Sequence, residues 1–349
     1  MPDAGRRAYA YSKACGIIAK SFVGKRISSL AGLHTLSEFD RFVFPERTKD
    51  LPGSELLVDL ENRVINRTVR HILSILNVYE KPPELLVRLL RSYEYSDLKT
   101  CLHYIDSGKK EAPLVCSLGN YGTVHFEAYP DLAAMLAGTE FEPLLSDKAV
   151  KGADFSVLEI EIDRLYYRSL KESLFELRGE DREIAHRLIA EEISLRNCIW
   201  AFRLRNYFNK SAEDTGDYIM DIKMRAAPDI TGRNYGRGTI SLASDALVSL
   251  DFQLDTRSQW RGWRWERFLN PEYPGEQWYL DPKYFQNAAS KYLYRSTMRC
   301  FRRAPMSVSM VFCYIKLKQF EENILTSIVE GIGLGMASDD ILELLGVSA

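Results

Sequence analysis

The sequence predicts an all-α protein made of three similar helical modules, and three observations carry that expectation. First, one pattern recurs: an opener (Leu60-Glu61, Leu158-Glu159, Phe285-Gln286) precedes, by about one helical hairpin, a polar-then-apolar pair (Asp97-Leu98, Asn197-Cys198, Asn323-Ile324). The intervals are 36 positions from Glu61 to Asp97, 38 from Glu159 to Asn197 and 37 from Gln286 to Asn323. Second, long stretches without Gly or Pro carry Leu, Ile and Val at helical spacing. Third, no region keeps the period-2 alternation of a half-buried strand. A single helical hairpin cannot bury its apolar face alone, so the copies must pack on one another. The modules are placed at 1–112, 113–225 and 226–349.

In chain order, a first helix is expected from about Tyr9 to Leu30, with Ala14, Ile17, Ile18 and Phe22 on one stripe. Leu36-Ser37-Glu38-Phe39 opens a short helix that Pro45 ends. From Ser54 to about Tyr79 the apolar positions Leu56, Leu60, Val64, Val69, Ile72, Leu73 and Leu76 predict a long helix, stopped at Lys81-Pro82-Pro83. Its return runs from Glu84 through Asp97 to about Ile105. The second copy repeats the plan: Thr139-Glu140-Phe141 resembles Ser37-Glu38-Phe39, a helix runs from Asp154 to about Leu177, Gly179 turns, and Asp181 to about Phe208 returns. The third copy is the most decorated. Between Pro228 and Pro282 it inserts a helix near Ile240 to Leu254, the run Trp260-Arg261-Gly262-Trp263-Arg264-Trp265 and a Pro-rich loop. Tyr284 to Arg303 and Met306 to about Val329 then form the last hairpin, broken at Pro305.

Composition fits a soluble, cytoplasmic, folded protein. At 349 residues and 46% hydrophobic, the chain can bury two or three domain-sized cores. Its 46 basic and 48 acidic residues nearly cancel, a poor footprint for a dedicated nucleic-acid binder. No run approaches the roughly 18 apolar residues that span a bilayer. Any membrane role is therefore exercised from outside the bilayer. Lys13, Lys20 and Lys25 interrupt any secretory apolar segment. The six cysteines form no C-x-x-C pair and sit among apolar neighbours, as in a reducing compartment. The five histidines lack spacing that would set two ligands on one helix face.

Other chemistries have weak footholds. Gly331-Ile332-Gly333-Leu334-Gly335 superficially resembles a phosphate-cradling loop, but it ends a helix instead of opening one, so a flexible turn is expected there. Carboxylate pairs such as Glu159 with Asp163, and Glu191 with Glu192, arise by chance among 48 acidic residues and read as solvated helix faces. Arg257, Trp260, Arg261, Trp263, Arg264, Trp265 and Arg267 interleave aromatics with guanidiniums, as a base-stacking surface does, or as an amphipathic interface does. Arg225 to Arg237, with acidic Asp229 inside, is a poor basic patch. A helical-repeat scaffold remains an alternative on these residues. Repeat spacing leaves open whether the modules stack as a solenoid or close into a ring.

The segments Arg91-Ser92-Tyr93-Glu94-Tyr95-Ser96-Asp97-Leu98-Lys99, Leu158 to Tyr167 (LEIEIDRLYY) and Glu192-Ile193-Ser194-Leu195-Arg196-Asn197-Cys198 resemble signatures of the V-type ATPase C-subunit family of archaea and bacteria, equivalent to the d subunit of eukaryotes. The resemblance extends through the threefold repeat over nearly the whole chain. It implies three helical bundles arranged with pseudo-threefold symmetry as a funnel. It further implies a noncatalytic central-stalk subunit on the cytoplasmic face of a membrane rotor ring, peripheral and not inserted, that accepts the tip of the central shaft. Its partners would be the shaft and ring subunits, with no nucleic acid, cofactor or metal. The positions carried over are Asp97, Asn197 and Asn323, with Lys99 and Arg196 beside them, as linings of the opening or as ties within each bundle. Three departures stand out: Asp97 where Asn is usual, Ser194 where an acidic residue is common, and Gln286 in place of Glu.

Overall fold

The first helix, α1 (Asp3–Lys20), stops well before the expected Leu30. The Phe22 amide does not extend the helical ladder; it donates to Glu321 Oε1 at 2.8 Å, and a separate 3-10 helix covers Gly24–Leu30. Here a partner far along the chain ends a helix that local periodicity would have continued. The structure, a computed structural model, describes residues 3–46, 48, 50–145, 155–225 and 238–345.

Local chemistry sets the next boundaries. Helix α2 (Leu36–Val43) begins at a capping box in which Thr35 Oγ1 accepts the Glu38 amide and Glu38 Oε2 accepts the Thr35 amide. Helices α3 (Gly53–Leu76) and α4 (Glu84–Asp106) form the expected hairpin around Pro82-Pro83. Thr139-Glu140-Phe141, read as an echo of the α2 opener, instead makes a turn in which Thr139 Oγ1 accepts the Phe141 amide; it follows the short α5 (Leu132–Leu136). Next come α6 (Phe155–Ser173) and α7 (Gly179–Tyr207). The expected start at Asp154 lies outside the described residues.

The largest correction falls between residues 219 and 254. After α8 (Ala212–Asp217), strand β1 (Lys223–Arg225) pairs antiparallel with β2 (Thr239–Ser241), Met224 opposite Ile240. Helix α9 is only Ser244–Leu250. The expected helix from Ile240 is lost because the Leu242 amide donates to Ile222 O at 2.9 Å, holding this segment extended. Pro228 and most of Arg225 to Arg237 lie outside the described residues. Helices α10 (Pro282–Arg303), α11 (Val308–Gly333) and α12 (Ser338–Leu344) complete a predominantly helical chain. The last of them has no counterpart in the sequence expectation.

Two compact units result. Unit 1 joins residues 1–169 to 301–349, and unit 2 is 170–300. Within unit 1, α11 packs against α1, α3, α4 and α12, and Met310 through Ile315 are fully buried. A helix apolar on every side needs that central position. Leu60, Val64, Leu325, Ile328 and Val329 share one core cluster. Helix α11 also continues through Gly331 and Gly333, where a flexible turn was expected. A Cβ at Gly331 would lie 2.4 Å from Ile341 Cδ1, and one at Gly333 2.1 Å from Leu57 Cδ1. These glycines let α12 and α3 approach α11, which accounts for the motif without phosphate chemistry.

Unit 2 is built on aromatics. Trp260, Trp263, Trp265, Trp278, Phe202 and Phe285 fill one cluster, with Trp260 5.5 Å from Phe202 and 5.2 Å from Trp263, both edge to face. Every indole N–H in the cluster has an acceptor: Gln253 O for Trp260, Asp245 O for Trp263, Ser194 Oγ for Trp265 and Asn270 O for Trp278. The run read from sequence as a stacking or interface surface is therefore a core. Its arginines serve that core, Arg264 pairing with Asp245 at 3.0 Å and Arg257 with Glu266 at 3.2 Å.

Candidate functional site

Asp97 stands on the buried side of α4, where one of its carboxylate oxygens accepts the Cys116 amide at 2.7 Å. One turn earlier, the Glu94 carboxylate accepts the amides of Thr123 and Val124 and the Thr123 hydroxyl. Together they fasten the extended segment after α4 back onto the helix. Buried donors must find acceptors, and an acid at i and i+3 supplies several along one helix face. Burial, with the Glu94 charge nearby, pushes the Asp97 carboxyl up to about 6.

The same construction recurs on α7. Asn197 Oδ1 accepts the Met220 amide at 3.0 Å, while Nδ2 donates to Met220 O at 3.0 Å and Leu242 O at 3.2 Å. One turn earlier, Ser194 Oγ donates to Asp245 Oδ2 at 2.8 Å and accepts from Trp265. Both helices thus present a polar pair at i and i+3 that ties down the stretch following them. The amide of Asn197 suits unit 2, since it must meet two carbonyls and one N–H; a carboxylate suffices at 97, where the partner is a donor. On α11 the equivalent positions are Phe320 and Asn323, and Asn323 is exposed. Replacing Asn197 by Ala is expected to cost about 2 to 3 kcal/mol by orphaning buried backbone groups. Asn323→Ala should stay within about 0.5 kcal/mol. Thermal melting of the two variants, followed by circular dichroism, checks the contrast.

Lys99 pairs with Asp163 at 2.6 Å, and His103 Nε2 lies 2.7 Å from Glu159. With the Tyr95–Tyr166 ring contact at 5.1 Å, these bind α4 to α6 within unit 1. The Glu159 and Asp163 carboxylates are therefore engaged by His103 and Lys99 of α4, not facing each other across a reaction centre. Arg196 is half-buried on α7. The five carried-over positions are thus spread over both units, with Asp97, Lys99 and Asn323 in unit 1 and Arg196 and Asn197 in unit 2.

Sequence reading overlooked a buried ionic cluster on α11. Lys318 Nζ contacts Glu321 Oε2 and Ser21 Oγ, Glu321 Oε1 accepts the Phe22 amide, and Arg67 Nη2 lies 3.7 Å from the same oxygen. Burial pushes the Lys318 ammonium below its ordinary range, although Glu321 opposes that shift. Burial alone would raise Glu321, but Lys318 and Arg67 outweigh it and hold the carboxyl low. Burial also brings His71 down to about 4, so it is neutral near pH 7, and raises Glu322, which accepts from Tyr93 at 2.8 Å, to about 7. The only sequence signal was Lys and Glu three residues apart inside an apolar run.

A cavity of about 510 Å³ in unit 1 is lined by Glu94, Cys101, Cys116 and Leu118 among others, yet burial pushes Cys101 up to about 11 and Cys116 up to about 12. Both thiols stay protonated, and a thiol is a poor nucleophile. Among the described residues no three His, Cys, Asp or Glu side chains cluster as metal ligands, and no helix is long and apolar enough to cross a membrane. The arrangement is one that fixes helices and the segments between them.

Residues 49–344 match the family model described as ATP synthase (C/AC39) subunit. Over 347 residues the chain is 28% identical to an uncharacterized protein of Treponema pallidum (strain Nichols), covering 98% of this chain and 96% of that one. It is 23% identical over 268 residues to the C subunit of the A-type ATP synthase of Methanosarcina mazei, covering 74% of this chain and 68% of that protein. With the corresponding C subunit of the A-type ATP synthase of Methanococcoides burtonii the identity is 26% over 191 residues, 49% of this chain and 52% of that one.

Proposed function

Because the chain belongs to the ATP synthase (C/AC39) subunit family, we propose that it is a noncatalytic central-stalk subunit of a V/A-type rotary ATPase, coupling the central shaft to the membrane ion-translocating ring. The family match over residues 49–344 carries this reading. In the same proposal the modules 1–112, 113–225 and 226–349 form a pseudo-threefold funnel, peripheral on the cytoplasmic face of the membrane. Hydrolysis or synthesis of ATP takes place on other subunits.

The physical requirements of such a part support the proposal. Torque crosses a coupler only if the coupler does not bend, and long helices locked by buried polar ties resist bending better than helices joined by free loops. Asp97, Lys99 and Asn197 are assigned this bracing role, Arg196 is assigned to the same helix, and exposed Asn323 is assigned to a partner contact. Cross-linking in detergent-solubilised membranes, followed by identification of the linked chains, tests the reading. Adducts with a small protein of the membrane ring and a coiled-coil protein of the shaft are expected, and purified protein alone should turn over no nucleotide. Adducts with neither class of protein would refute the assignment.

A further inference from the structure

Helix α10 carries Lys283, Lys291, Arg295, Arg299, Arg302 and Arg303 and no carboxylate, in a chain whose acidic residues outnumber its basic ones. Lys291, Arg295 and Arg299 recur every fourth residue and are all exposed, so they stand in one row at about 6 Å intervals. The other side of the helix is anchored, with Phe285 and Ala289 in the aromatic core of unit 2. Arg187 of α7 donates to Cys300 Sγ at 3.2 Å, bringing another cation toward the end of the row. Among the described residues, no ion pair or side-chain hydrogen bond engages Arg295 or Arg299. Like charges at i and i+4 weaken a helix, and the helix dipole rewards cations only in the last turn, where Arg302 and Arg303 sit. Folding therefore gains nothing from the mid-helix arginines.

We propose that Arg295 and Arg299, one helical turn apart on the exposed side of α10, dock an acidic α-helix of a neighbouring protein in the assembly, an inference that rests on the rotary-ATPase reading. A partner helix with carboxylates at i and i+4 has the same repeat, so each guanidinium meets one carboxylate. Nucleic acid fits less well, because between Lys291 and Arg299 the ring of Tyr292 is half-buried and packs on Trp265 and Phe268. A lipid surface also fits less well, because no large apolar side chain between Lys291 and Arg299 is exposed to enter it.

The test uses the full chain, its Arg295→Glu/Arg299→Glu variant and a charge-keeping Arg295→Lys/Arg299→Lys control. The probe is a fluorescent alanine-based helical peptide with Glu at every fourth position, beside its Gln counterpart. Wild type is expected to prefer the Glu peptide by about tenfold or more at low salt, the Glu variant to lose that preference, and the Lys control to keep most of it. Equal melting temperatures would show that the variants fold. In solubilised membranes the Glu variant should leave the ATPase at lower salt than wild type. Equal peptide binding by wild type and Glu variant, tighter binding of wild type to phosphatidylglycerol vesicles or to a single-stranded oligonucleotide, or self-association through the row would each overturn the inference. If wild type never accompanies an ATPase but keeps the peptide preference, the rotor reading fails alone. If wild type and Glu variant both accompany it with equal salt resistance and bind the peptide equally, the docking inference fails alone.

Discussion

Replacing Lys318 by methionine is expected to destabilise unit 1 by about 3 to 5 kcal/mol, the usual consequence of leaving one member of a buried ion pair alone. The Lys318 side chain is 1% exposed and that of Glu321 3%. With the ammonium gone, Glu321 keeps, among the described residues, Arg67 at 3.7 Å and the Phe22 amide. The carboxyl then has to remain charged at high desolvation cost or take up a proton. Lys318→Met/Glu321→Gln is expected to recover about half of the loss or more, since Gln Oε1 can still accept the Phe22 amide and no charge is stranded. Urea unfolding followed by far-ultraviolet circular dichroism measures both. A single-variant loss below about 1 kcal/mol, or a double variant no better than the single, would show that the pair is not a buried tie.

Trp260→Ala is expected to cost unit 2 about 3 to 5 kcal/mol. The ring is fully buried, meets Phe202, Phe252 and Trp263 edge to face at 5.5, 5.0 and 5.2 Å, and donates to Gln253 O. Truncation removes all of these contacts and leaves a cavity walled by rigid rings that cannot collapse into it. Trp260→Phe should cost less, about 1 to 2 kcal/mol, because an aromatic ring remains while Gln253 O loses its donor. All five tryptophans lie in residues 170–300, so intrinsic fluorescence reports on unit 2 directly. An unchanged fluorescence-detected midpoint in Trp260→Ala would contradict the assignment of this segment as a core.

Much of the fold was legible locally. The α3/α4 hairpin and the starts of α7 and α10 follow from apolar spacing, the Pro82-Pro83 stop and turn residues, all of which act within a few positions. Less was legible wherever a distant group decides. The first helix looks continuous until Glu321, 299 positions away, claims the Phe22 amide. The segment at Ile240 has helical periodicity but is held extended by Ile222 and by Asn197 of α7. The candidate positions were found as a recurring pattern, but the roles of Glu94, quoted only within a signature segment, and Ser194, noted only as a departure, were not legible, because a polar residue on a helix usually faces water.

From the sequence alone came the helical class, the repeating opener and signature pairs, and the family resemblance, because periodicity, capping and residue spacing are written within each segment. Only the tertiary structure decided that α11 lies in one unit with α3 and α4, that the Trp-Arg run is a core, and that Asp97 and Asn197 hold the backbone that follows them. Burial and hydrogen-bond partnership belong to pairs of segments, and a side chain becomes core or surface only when the chain brings its partner to it.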